Sequence, residues 1–261
     1  MNSEYKVALV TGSSKGIGYG IAKQLLEDGF AVAVTSRDRQ AAQRIASELA
    51  HLSGARCAGF AYDMSDPCAQ AVLVNSVRET FGQLDVLVNN ALDNSINAPL
   101  LDTPDAVLDI AVTANISSVI KLCKHAHPAL SETRGRVINI GSSITNRYVS
   151  GLPLYAMMKS GLEKLTQALA ADWAPQGIRL NVVNPGFTHS GAAKDLGLSD
   201  EQIAGLYQYL DQFQPLGTAE PQEIAGMVSF LASGKADKIT GAVIDVDGGH
   251  RIQGHALFPQ I

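Results

Sequence analysis

The sequence predicts an α/β fold in which short strands alternate with helices along all 261 residues. Three observations predict it. Short apolar, β-branched runs recur along the chain, each ends in a turn bearing Gly, Asn, Ser or Pro-Gly, and the segments between them carry helical apolar spacing. No internal repeat or Pro/Ser-rich linker interrupts the alternation, so residues 1–261 are expected to form one domain.

Val7 to Val10 reads as the first buried strand and runs straight into Thr11-Gly12-Ser13-Ser14-Lys15-Gly16-Ile17-Gly18. Ile21, Leu25 and Leu26 then mark a helix that ends at Asp28-Gly29. Strand, glycine turn and helix form the context in which a helix N-terminus accepts a pyrophosphate. The spacing here is GxxxGxG and not GxGxxG, and a glycine-bearing turn that holds no ligand is the alternative reading.

A second strand, Ala31 to Thr35, leads to Ser36-Arg37-Asp38-Arg39. In a dinucleotide site an acidic residue at this strand end binds a ribose 2′-hydroxyl and a basic one a 2′-phosphate, so Arg37, with Lys15, favours NADP(H) over NAD(H). Alternatively, Arg37 and Arg39 only solubilise a helix start. A helix from Gln40 to Leu52 and a strand from Arg56 to Tyr62 follow, and Asp63-Met64-Ser65-Asp66-Pro67 is expected to cap the next helix. Asp63 is then either a turn residue or an adenine contact. Leu84 to Val88 is another buried strand, ending in Asn89-Asn90-Ala91-Leu92.

Thr103-Pro104 reads as N-cap and first turn of a long apolar helix reaching His127, with Asn115 in its middle, where Asn has poor propensity. The strand Arg136 to Ile140 ends at Gly141-Ser142-Ser143. The helix Leu154 to Trp173 then puts Tyr155 and Lys159 four residues apart on one face. An ammonium within a few Å favours an ionised phenol by roughly 1–3 pKa units, which would bring Tyr155 into a range useful for protonating a carbonyl oxygen or deprotonating an alcohol. The plainer alternative is a helix aromatic, a solvated lysine and a strand-ending turn.

Arg179 to Val183 is the sixth strand, followed by Asn184-Pro185-Gly186-Phe187-Thr188-His189-Ser190, whose hydroxyls suit a cofactor amide. The looser stretch 191–217 is expected to cover the substrate, unless it is a surface helix pair. Pro221 to Ala232 is the last main helix and Ala242 to Val246 the last strand, before Asp247-Gly248-Gly249. The apolar tail 250–261 is expected to dock on a partner subunit.

Composition narrows the function. A net charge of −5 gives no support to a nucleic-acid or anionic-membrane partner. No apolar run was expected to approach the length of a membrane span, and Met1 to Val10 lacks the pattern of a signal peptide, so a cytoplasmic protein is expected. The three cysteines, Cys57, Cys68 and Cys123, show no paired spacing, which argues against a disulfide framework. Cys123 and His127 could share a helix face but lack a second ligand pair, so no metal site is expected.

Taken together, TGSSKGIG at 11–18, Asp63, NNA at 89–91, Asn115, Ser142, YxxxK at 155–159 and NPG at 184–186 resemble the classical short-chain dehydrogenase/reductase family, over Val7 to Gly249. The 3-oxoacyl-carrier-protein reductases are the nearest well-known branch. The resemblance implies a Rossmann-like doubly wound sheet of about seven parallel strands flanked by helices. It implies one nicotinamide cofactor and hydride transfer between a ketone and a secondary alcohol. Tyr155 would be the general acid/base, Ser142 would hold the substrate oxygen, and Lys159 would lower the Tyr155 pKa and bind the nicotinamide ribose. Asn115 would hold a water of a proton relay. Gly12, Ser14, Ile17 and Gly18 would line the pyrophosphate, Asp63 and Met64 the adenine, and Asn89 the adenosine side. Pro185, Gly186 and Thr188 would hold the nicotinamide end, and the Arg37–Lys15 arrangement is similar to that of NADP-preferring members. A homotetramer, or a dimer, is also implied.

Two positions depart from the family pattern: Leu92 stands where NNAG has its glycine, and Ser190 where a threonine is common. The expected partner is a small carbonyl or alcohol enclosed by Leu152, Leu154, Phe187, His189, Tyr207 and Phe213. Alternatives are a 3-oxoacyl-carrier-protein reductase specifically, a cofactor-binding sensor without turnover, or a carbon–carbon double-bond reductase.

Overall fold

A computed structural model describes residues 5–96, 98–147, 149–191 and 197–253. Seven parallel strands form one sheet in the order β3-β2-β1-β4-β5-β6-β7. They are β1 (Val7–Val10), β2 (Ala31–Ser36), β3 (Cys57–Ala61), β4 (Val86–Asn89), β5 (Arg136–Ile140), β6 (Arg179–Pro185) and β7 (Val243–Val246). The central strands β1, β4, β5 and β6 are buried along their whole length, which is why they read as largely apolar runs and not as alternating ones.

Helices cover both faces. On one side α1 (Gly16–Glu27) and α2 (Arg39–Ser53) pack with α8 (Pro221–Ala232) over a core of Val10, Ile21, Leu25, Val88, Ile138 and Val228. On the other, α3 (Ala69–Phe81), α5 (Ser118–Thr133) and α6 (Pro153–Trp173) pack over Leu9, Val77, Leu87, Leu122, Leu130 and Leu180. Each fully buried Leu or Val contributes about 1.5–3 kcal/mol, so these two layers hold the sheet rigid beneath the loops. Gly20 lets α1 approach α8 closely, since a methyl there would lie 3.0 Å from Pro221.

Three sequence expectations about helices are corrected. Thr103 does not cap the next helix. Its hydroxyl donates to Pro99 O at 2.9 Å, Pro104 occupies the N-cap, and α4 runs Asp105–Val112. The long apolar helix is also interrupted, because Thr113–Ser117 forms a π-helical turn between α4 and α5, and the helix ends at Thr133, not His127. Pro128 lies inside this helix, where Ala126, Ala129 and Leu130 bury against the core and that packing outweighs the lost backbone bond. Asp63 and Asp66 do not cap α3 either. Each accepts from the amide two residues on, Ser65 N and Cys68 N at 2.9 Å, so two successive Asx turns precede a helix that starts at Ala69.

Asp105–Thr133, in which an 18-residue window has mean hydropathy 1.6, is long and apolar enough to cross a membrane, contrary to expectation. One face of it, Leu122, Cys123, Ala126, Ala129 and Leu130, packs into the core against the sheet. Cys123 is buried there, with its thiol pushed up to about 12 by desolvation. His127 instead packs edge-on against Trp173 with ring centroids 4.6 Å apart, so the two do not share a site.

Candidate active site

Parallel pairing brings every strand-end turn to one edge of the sheet. Strand order reverses between β1 and β4, and the crevice outside the strand ends at such a reversal is where open α/β sheets bind ligands. The β1 turn, 11–15, and the β4 turn, 89–92, flank that crevice and are tied together. Thr11 Oγ1 accepts from Asn90 N at 3.0 Å and Ala91 N at 3.1 Å, while Asn90 Nδ2 donates to Thr11 O and Gly12 O at 2.9 and 3.0 Å. Gly12 has φ +61°, and a methyl on Gly18 would overlap Gly12 O and Asn90 Nδ2, so both positions demand glycine for the backbone path itself.

Helix α1 begins at Gly16 with no side-chain cap at Lys15 and no acidic residue in its first turn. A helix start without a side-chain acceptor, pointing its positive dipole end into a glycine loop, fits a pyrophosphate. Ser14 and Ile17 are half-buried beside it and Lys15 is exposed. Arg37, at the end of β2, is exposed and near enough to Asp63 to help lower its pKa, after the larger contribution of the Ser65 hydrogen bonds. The structure therefore brings Arg37 and Asp63 to the same corner.

Two expected contacts turn inward. The Met64 side chain is buried in the core. Asn89 is 5% exposed and its Nδ2 donates to Asn139 Oδ1 at 2.7 Å, while Asn139 Nδ2 donates to Thr166 Oγ1 at 2.7 Å. This chain stitches β4 and β5 to α6. It leaves Asn89 Oδ1 buried without a protein partner.

Ser142 leaves β5 in extended conformation, φ −165°, and its N–H donates to Asn184 Oδ1 at 2.9 Å. Asn184 Nδ2 donates in turn to Glu163 Oε1 at 2.7 Å and Asp245 Oδ1 at 3.1 Å. A methyl on Gly141 would overlap Asn184 Oδ1, so the glycine before the serine makes room for the amide that fixes it. The Ser142 hydroxyl accepts from Ile144 N at 3.3 Å and lies near enough to the Tyr155 phenol to oppose the rise that burial gives its pKa. Helix α6 carries Lys159 one turn on, buried, with Nζ donating to Ile140 O at 2.7 Å and lying 5.8 Å from the Tyr155 ring centre.

The expected depression of the Tyr155 pKa is not found in this structure. Burial raises it, and the Ser142 hydroxyl is the opposing contribution. Burial also brings Lys159 down to about 8.

Asn115 sits inside the π turn. Its Oδ1 accepts from Asp93 N at 2.9 Å and its Nδ2 donates to Asp93 O at 3.2 Å, docking the helix onto the β4 loop. A cavity of about 10 Å³, the room of one water, is lined by Asn89, Asn115, Ile140, Tyr155 and Lys159, with Leu92 in its wall. Leu92 packs with Ile116, Leu154 and Tyr155 around Ala111 and Met158.

Beyond β6, Thr188 Oγ1 donates to Gly186 O at 3.1 Å, and a methyl on Gly186 would overlap Gln214 Oε1. Gln214 is buried and brackets Phe187, accepting from its N–H and donating to its carbonyl at 3.2 Å. Of the stretch 191–217, α7 (Asp200–Leu210) opens with a capping box at Ser199 and Gln202. It places Tyr207 flat on His189 with centroids 3.9 Å apart, while Tyr209 and Phe213 pair with each other at 5.2 Å. Residues 192–196 and 254–261 of the expected cover and tail lie outside the described residues. The sequence reading that adjacent amides at the β4 strand end can bond neighbouring backbone holds for Asn90, whereas Asn139, Asn184 and Gln214 received no individual role from the sequence. Asn184 was part of the NPG motif at 184–186.

A crevice at a strand-order reversal, an uncapped glycine-rich helix start and a Ser–Tyr pair backed by a buried lysine define an oxidoreductase of the dinucleotide-binding α/β class. Residues 12–251 match the family model described as enoyl-(acyl carrier protein) reductase. The chain is 38% identical over 250 residues to 3-oxoacyl-[acyl-carrier-protein] reductase from Escherichia coli, covering 95% of this chain and 98% of that protein. Two solved structures are similar: L-sorbose reductase from Gluconobacter frateurii complexed with NADPH and L-sorbose (TM-score 0.89, 28% identity, 95% of this chain and 97% of that one) and a short chain dehydrogenase from Burkholderia cenocepacia in complex with NADP (TM-score 0.83, 34% identity, 94% and 97%). The chain belongs to the short-chain dehydrogenase/reductase family.

Proposed function

We propose that the protein is an NADP(H)-dependent oxidoreductase that interconverts a ketone and a secondary alcohol, with Tyr155 as general acid/base. The observation that carries this reading is Tyr155 with the buried Lys159 one helical turn on, Nζ 5.8 Å from the phenol ring centre and both lining one small cavity, beside the Ser142 turn at the strand-end edge next to the crevice. Tyr155, protonated at neutral pH, gives its proton to the carbonyl oxygen during reduction and takes it back during oxidation. Ser142, whose backbone is held by Asn184, orients that oxygen. Lys159 supplies positive charge behind the phenol, and Asn115 and the small cavity beside Lys159 accommodate a water through which the proton is replaced.

A nicotinamide dinucleotide, when bound, supplies or accepts the hydride. Gly12, Ser14, Ile17 and Gly18 fit its pyrophosphate, and Lys15 with Arg37 a 2′-phosphate, which favours NADP(H). Asp63 and the backbone of Met64 and Asn89 serve the adenosine side. Pro185, Gly186 and Thr188 serve the nicotinamide end, with Tyr155 and Lys159 at its ribose. The single domain spans residues 1–261, with 191–217 covering the substrate. The exposed Ile110 and Ile120 along α4–α5 and Met157 on α6 support assembly into a homotetramer, and the resemblance to enzymes of acyl metabolism supports a cytoplasmic location.

The relatives named for 3-oxoacyl-carrier-protein reduction make an acyl-type ketone the first substrate class to test. The family description names enoyl reduction, and the intact Ser142 and YxxxK spacing favour the carbonyl over the double bond. Following nicotinamide absorbance with NADPH and with NADH, over ketones and matched enones, tests the proposal. Faster turnover of ketones with NADPH is expected. Turnover of the enone alone, or cofactor binding without turnover of any carbonyl, would replace it with the double-bond or sensor reading.

A further inference from the structure

The segment after β7 is tied to both sides of the site. Leu216 N donates to Gly248 O at 2.9 Å and Gln253 Nε2 to Gln212 O at 2.5 Å, which joins it to the covering stretch. Arg147 donates to His250 O, and Arg251 pairs with Asp245 at 2.5 Å, which joins it to the loop after Ser142 and to β7. At the centre is His250, 6% exposed. Its Nδ1 lies 2.8 Å from Ser143 Oγ and its ring 5.0 Å from that of Phe187.

Ser143 is itself buried, so its hydroxyl needs this partner. It also opens the 3₁₀ turn Ser143–Asn146 that Ser142 starts. One imidazole thus holds the turn carrying Ser142 and the aromatic ring expected to bound the substrate.

We propose that His250 is a positioning residue for carbonyl turnover: through Ser143 it fixes the Ser142 turn, and through Phe187 it fixes the substrate wall. In the neutral ring Nδ1 and the Ser143 hydroxyl share one hydrogen bond. Burial and the nearby Arg147 keep the imidazole neutral, against the opposing pull of Asp247. The other charged groups around this network are Arg251, Asp245 and Glu163, the last reaching it through Thr145 and Asn184. The proposal rests on the reading of Ser142 as the group that holds the substrate oxygen, and its test has an arm independent of turnover.

The test compares the parent with His250→Leu, His250→Asn and Ser143→Ala. Readouts are kcat, KM for the ketone, the NADPH Kd and hydrogen exchange at the amides of Thr145 and Arg147. His250→Leu and Ser143→Ala are expected to lower kcat about tenfold and speed exchange by a similar factor, with the NADPH Kd unchanged. His250→Asn, whose amide reaches the Nδ1 position, restores most of both. Parental kcat and exchange in His250→Leu would overturn the proposal, as would an Asn variant no better than Leu. If the parent turns over no ketone, the functional reading fails, while faster exchange in the Leu and Ala variants than in Asn still supports the clasp and equal exchange overturns it. If His250→Leu does not fold, Ser143→Ala against His250→Asn carries the same comparison.

Discussion

Lys159 is the residue at which stability and chemistry pull apart. It is buried and its pKa lies at about 8, against 10.5 for the free group, so between these values the unfolded chain binds more protons and stability rises with pH. Below pH 8 both states are protonated and the full burial cost remains. Each pKa unit corresponds to about 1.4 kcal/mol, and removing the ammonium also leaves Ile140 O without its donor, which costs roughly 1 kcal/mol. Lys159→Met is therefore expected to gain about 2 kcal/mol at pH 7 while losing carbonyl turnover, and to lose that advantage above pH 10.5. Thermal unfolding across pH checks it, and a Met variant less stable than the parent at pH 7 would contradict the assignment of a costly charge. The Tyr155–Lys159 pair on one helix face was legible in the sequence because a four-residue spacing is local, while Ser142 and Asn115 drew their expected roles from the family resemblance. Asn184 and His250 were not legible, since their roles are set by contacts between segments about 40 and 110 residues apart, which no local pattern records.

The π turn at Thr113–Ser117 shows the same limit for an element. Poor helix propensity flagged Asn115, but propensity does not distinguish an exposed polar face from an extra residue inserted in a helix. The structure shows that the side chain bonds both backbone groups of Asp93, so the turn sets the height of the β4 loop beside Leu92. Asn115→Ala leaves those groups without the amide and is expected to cost about 1–3 kcal/mol and to lower kcat more than it raises the NADPH Kd. Equal kcat in the variant and the parent would separate the turn from catalysis. Strand positions were legible to within two residues because buried parallel strands read as apolar runs. Helix starts were misread at Thr103 and at Asp63–Pro67, where good capping residues serve turns before the helix.

At the scale of the whole molecule, strand order could not be read from periodicity. The family resemblance implied a doubly wound parallel sheet, and the parallel pairing of β1 with both β2 and β4 bears that out. The apolar side chains left outside the core are a second whole-molecule feature. Ile110 is 51% exposed on α4, and Ile120 44% exposed on α5, whose other face packs into the core, which suits a surface covered by a second copy. Ile120→Glu is expected to lower the assembly state in sedimentation without unfolding the protomer, and unchanged sedimentation would exclude α5 from the interface.

The central claim is that Tyr155 moves the proton during carbonyl reduction. The direct measurement is NADPH consumption with a ketone substrate by the parent and by Tyr155→Phe, with NADPH binding measured in both. The account predicts that the variant binds NADPH as the parent does and loses turnover by at least about 10²-fold, the scale of a general acid. A variant that reduces the ketone at the parental rate would contradict it.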